Sequence, residues 1–66
     1  MKLQVFVNRD EQWQVRIVGD NGEKVMLSEA YFSKSNATRA ARKVSNATGW
    51  PVSIKEPGSR VFVDFI

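Results

Sequence analysis

Two stretches near the start of the chain, residues 2–8 (KLQVFVN) and 13–19 (WQVRIVG), alternate their side chains one for one. Leu3, Val5 and Val7 stand against Lys2, Gln4, Phe6 and Asn8, and Trp13, Val15 and Ile17 stand against Gln14 and Arg16. A period of two places one set on each side of an extended backbone, so both stretches predict half-buried strands and exclude a helix there. Residues 9–12 are polar and connect them. Gly19-Asp20-Asn21-Gly22 follows, and Asn-Gly tolerates the positive φ angles of a tight hairpin. A third strand is expected over residues 23–28, giving an antiparallel three-stranded meander.

The period then changes. Ser33 suits a helix N-cap, its hydroxyl accepting from the backbone N–H of Ser35 or Asn36, with Phe32 placed to staple against Ala37. The helix is predicted from Lys34 to about Thr48. Its apolar stripe is Ala37, Ala40, Ala41, Val44 and either Ala47 or Thr48, and Gly49 is suited to the left-handed residue after it. Residues 51–55 read as a short strand and residues 60–66 as a longer one, alternating Val61, Val63 and Phe65 with Phe62 and Asp64. Glu56-Pro57-Gly58-Ser59 between them suits a type II turn. The expected fold is α+β, a single domain over 1–66: the meander, one helix, and a C-terminal strand or hairpin (β-β-β-α-β). The repeated phrase SNAT at 35–38 and 45–48 is too short to mark a repeated unit.

Length adds a second constraint. A chain of 66 residues buries only about 60% of the surface it exposes when unfolded, and domains this small usually carry a staple. With no cysteine and no histidine, neither a disulfide nor a conventional metal site is expected, nor a cofactor. Association with a second copy remains, so a homodimer is expected. The same two absences remove the commonest general base and the most reactive nucleophile. The seven acids, Asp10, Glu11, Asp20, Glu23, Glu29, Glu56 and Asp64, are scattered singly, and Ser28 and Ser33 have no base beside them. The expectation is a protein that is not an enzyme. Charge interrupts residues 1–14, so no signal peptide or membrane span is expected, and a cytoplasmic location follows. Asn36-Ala37-Thr38 and Asn46-Ala47-Thr48 match the glycan acceptor pattern, which acts only on secreted chains.

Residues 5–47 resemble the YegP-like proteins, a family of small domains. The likeness is carried by Trp13, by Asn21-Gly22-Glu23 in the hairpin, and by Ser28-Glu29-x-Tyr31-x-Ser33-Lys34-x-Asn36-Ala37 leading into the helix. Ala30, where the family usually has Gly, and the Pro57-Gly58 hairpin are departures. The resemblance implies a β-β-β-α-β unit which, present once, pairs as a strand-swapped dimer with one continuous sheet. Val61, Val63 and Phe65 would form that interface.

Two surfaces carry functional expectations. On the helix, Arg39, Arg42, Lys43 and Asn46 share the side away from the alanine stripe, where they would contact phosphates or simply face water while favouring the negative end of the helix dipole. On the sheet, Lys2, Gln4, Phe6, Gln14, Arg16, Lys24 and Met26 are expected to point away from the helix. Three strands followed by a helix with an aromatic-Ser-Lys cap also look like the small arm-DNA-binding domains of phage-type integrases, and Gln, Arg and Lys can read base edges. Trp13, Tyr31, Phe32 and Trp50 are expected in the core or a dimer contact rather than as stacking platforms. The leading expectation is a dimeric, non-catalytic module that binds a macromolecule, most simply a protein. The alternative is DNA or RNA binding through Arg39, Arg42 and Lys43 on the helix or Arg16 and Lys24 on the sheet.

Overall fold

Alternation decides the first half of the molecule. In the computed structural model, which describes residues 1–65, β1 (Lys2–Val7) and β2 (Trp13–Val18) pair antiparallel, with Val5 opposite Val15 and Gln4 opposite Arg16. Their loop is organised by Asn8, whose side-chain oxygen accepts from the backbone N–H of Asp10 at 2.8 Å and of Gln12 at 3.0 Å. Glu11 takes a left-handed φ of 62° there. β3 (Lys24–Leu27) pairs antiparallel with β2. In the turn before it only Gly22 has a positive φ, 84°. Asn21 instead caps the turn by accepting from the Glu23 N–H at 3.1 Å, a three-residue hairpin with glycine in the left-handed position.

The helix α1 spans Lys34–Thr48, as its caps predict. Ser33 is extended and accepts from the Asn36 N–H at 3.2 Å, and Gly49 (φ 80°) donates to the Ser45 carbonyl at 2.7 Å. Ala37 and Ala41 are wholly buried, and Ala40 and Val44 partly so, whereas Ala47 and Thr48 are exposed. Small residues let the helix lie close on the sheet, over Leu3, Val5, Val15, Val52 and Ile54. Trp13, Tyr31 and Trp50 close the margins of that core. Phe32 does not staple the helix; it is 89% exposed.

The second half departs from expectation in its topology. The sheet has five strands, in the order β3-β2-β1-β4-β5, and it is mixed. β4 (Val52–Ile54) lies parallel to β1, with Val52 beside Leu3, and β5 (Val63–Asp64) runs antiparallel to β4. The helix thus carries the chain from one edge of the meander to the other. The expected strand over 60–66 is cut short because Ser59 bends the backbone, its hydroxyl accepting from Val61 N–H at 3.3 Å and donating to Val61 O at 3.1 Å; Ile66 lies outside the described residues. The Pro57-Gly58 turn does form, with Gly58 at φ 85° and Ser59 N–H bonded to Glu56 O at 3.0 Å. This short reversal lets β5 close on β4 of its own chain, where a strand-swapped dimer would send it to a partner.

Candidate functional site

The sheet has one face under the helix and one open. Residues alternate across it, so Gln4 and Phe6 of β1, Gln14 and Arg16 of β2, Ser53 of β4 and Lys55 just beyond it stand on the open side. Lys24 joins them because it pairs with Val18. Simple alternation puts Met26 there as well, but the register shifts between Ile17 and Val18, leaving Met26 opposite Ile17 on the helix side. A one-residue bulge is enough to reverse a face.

Arg16 is the centre of the open face. Its Nε donates to Gln4 Oε1 at 2.7 Å, and its guanidinium carbon lies 4.9 Å from the ring centre of Phe6 and 5.3 Å from that of Phe62. Phe62 arrives from the bend after the Pro57-Gly58 turn, and Lys55 Nζ lies 5.8 Å from the same ring. These contacts hold a planar cation by stacking and by one neutral acceptor. Among the described residues no carboxylate pairs with Arg16. Lys2 and Lys24 border the same concavity as Gln4 and Arg16. At the other end of the open face, Gln14 accepts from Asn8 Nδ2 at 3.0 Å and donates to Ser28 O at 2.9 Å.

Two of the acids are engaged elsewhere. Glu56 pairs with Lys34 and Asp20 with the N-terminal ammonium. The hydrogen bond from that ammonium, reinforced by its charge, holds the Asp20 carboxyl below the usual carboxylate range. Asp64, opposite Ser53, stands at the far edge of the sheet.

The five residues expected to contact nucleic acid therefore do not form one site. Arg16 and Lys24 lie on the open face. Arg39, Arg42 and Lys43 line a groove on the helix side, between α1 and Phe65, where Arg42 lies 5.8 Å from the Phe65 ring centre. The body of the sheet separates the two sets. Phe6 and Phe62 are the aromatics that meet a cation on the open face; the polar side of the β1 alternation points to Phe6, whereas Phe62 is brought there by the bend after the Pro57-Gly58 turn. Ser28, considered as a nucleophile, is occupied: its hydroxyl accepts from Val15 N–H at 2.9 Å and donates to Glu29 O at 2.9 Å.

The chain matches no family model, no curated protein and no solved structure. Among the described residues no three potential metal ligands gather, and no helix is long and apolar enough to cross a membrane.

A third surface is the β5 edge. Val61 and Val63 are each 63% exposed and Phe65 is 40% exposed. Phe65 N–H donates to Val52 O at 2.9 Å, so in an antiparallel ladder the N–H and C=O of Asp64 turn outward, away from β4. The opposite edge, β3, also exposes Val25, Met26 and Leu27, but there the bulge and Lys24 work against further pairing.

Proposed function

We propose that this chain is a non-catalytic interaction module that pairs with a second copy of itself along β5. The observation that carries the reading is the strip of Val61, Val63 and Phe65, apolar and exposed beside an outward-facing backbone at Asp64. Pairing β5 with β5 of another copy is isologous, so it closes at two subunits and joins two five-stranded sheets into one. It also gives a small domain the burial that it lacks alone. Exchange of the ribbon through the 55–62 connection would build a similar joined sheet. The resemblance to YegP-like proteins points the same way.

Sedimentation at micromolar concentration tests this reading. The expected mass is twice the 7.5 kDa of the chain, reduced to the single chain by Val63→Asp with Phe65→Ser while the circular dichroism of the fold persists. A wild-type protein that stays monomeric up to about 100 times that concentration overturns the reading. Exchange is tested separately. Ser53 and Asp64 are cross-strand partners in a non-hydrogen-bonded pair, close enough for a disulfide. Oxidised Ser53→Cys with Asp64→Cys runs as one chain if β5 stays at home and as two linked chains if it is exchanged.

A further inference from the structure

We infer that the open face of the sheet is a binding site for single-stranded nucleic acid, with Arg16 as its anion-holding centre. The guanidinium of Arg16 is held over Phe6 and Phe62 and tied through Nε to Gln4. Its Nη1 and Nη2 groups have no acceptor among the described residues. An arginine fixed by its stem and ring contacts, with its fork unspent, is prepared for two parallel hydrogen bonds to a phosphate. The ordering cost of a long side chain has been met before the ligand arrives.

The surroundings extend that point charge into a track. In strand order the open face carries Lys24 on β3, Arg16 on β2, Lys2 on β1 and Lys55 beside β4. Strands lie about 4.8 Å apart and rise about 3.3 Å per residue, so the four cations span roughly 14 Å across the strands and, from Lys2 to Lys55, about 13 Å along them, an oblique track with room for the two or three nucleotides that other sheets hold in this way. The track ends at Asp64 on β5. Neither of the two ion pairs among the described residues uses any of the four cations. The occupant is therefore anionic and extended.

Aromatic rings decide between single strand and duplex. Phe6 and Phe62 stand beside the cations on a half-buried sheet surface, where unpaired bases can stack and paired bases cannot reach. RNA and DNA share the phosphodiester and base chemistry used here.

The test is fluorescence anisotropy of labelled eight-nucleotide oligo(U) RNA, oligo(dT) DNA and a mixed-sequence DNA duplex, at about 50 and 200 mM salt. Single strands of RNA, DNA or both are expected to bind at the lower salt and to lose roughly 20- to 50-fold in affinity at the higher, as three or four phosphate contacts require. Arg16→Gln and Phe62→Ala are each expected to weaken binding at least tenfold. Lys24→Glu with Lys55→Glu, which disturbs no core residue, should abolish it, while Arg39→Glu with Arg42→Glu leaves it within about threefold. Absence of single-strand binding at 50 mM salt overturns the inference. So does equal binding of the duplex, unchanged affinity in the folded double lysine variant, or loss of binding through the helix variant alone.

Discussion

The two faces of this small sheet are held by different physics. Under the helix, Leu3, Val5, Ala37 and Ala41 are fully buried and Val52 nearly so, and shape alone decides what fits. On the open side a ladder of Gln4, Gln14, Arg16 and Asn8 is tied by side-chain hydrogen bonds and roofed at one end by Phe62. The first face makes the chain fold. The second is ordered at little expense to the core and remains accessible, which is what a binding surface needs.

The sharpest test of that contrast is Leu3→Ala. Leu3 is wholly buried at the meeting of β1, β2 and β4, and truncating such a side chain costs about 2–5 kcal/mol. A chain of this length holds roughly 3–10 kcal/mol in total. Urea denaturation followed by circular dichroism should therefore show Leu3→Ala losing about half of the chain's stability, with its midpoint moved far below that of the wild type. A midpoint near the wild type would mean that the covered face is not where stability resides.

Where the sequence was legible, local chemistry and burial agree. Lys34–Thr48 is bounded by Ser33 and Gly49, and both act as caps. Leu3, Val5, Val15 and Ile17 share a face because nothing interrupts the alternation of β1 and β2. Illegible parts depend on events distant in the chain. The parallel pairing of Val52 with Leu3 joins residues almost fifty positions apart through a helix, and no local signal specifies which edge β4 will choose. Met26 is reversed by a bulge that exists only in the β2–β3 register. Phe62 reads as one more strand residue, yet the Ser59 bend lifts it onto Arg16. Of the candidate site, Arg16, Lys24, Lys2, Gln4 and Phe6 were visible on the polar side of the alternation, while Phe62 and Lys55 needed the fold.

Arg16→Gln measures the open face in the same units. It removes two ring contacts and a hydrogen bond, each worth about 0.5–1 kcal/mol at a partly exposed position, so the cost is about 1.5–3 kcal/mol, below the middle of the range for Leu3→Ala. The fold should survive, with affinity for single strands falling far more than stability. Equal losses at Leu3 and Arg16 would erase the distinction between the faces and make Arg16 a structural residue.

The smallest effect separates two threonines of the helix. Thr48 Oγ1 donates to Val44 O at 2.7 Å and accepts from Trp50 N–H at 3.2 Å. Thr38 Oγ1 is buried beside the α1–Phe65 groove with no partner among the described residues. A buried hydroxyl without a partner is a net cost, and valine has the same shape without it. Thr38→Val is therefore expected to stabilise the protein by about 1 kcal/mol, raising the thermal midpoint by roughly 4–8 °C, whereas Thr48→Val lowers it. If Thr38→Val lowers the midpoint instead, that hydroxyl is engaged in solution. The helix-side groove would then hold its own polar contact.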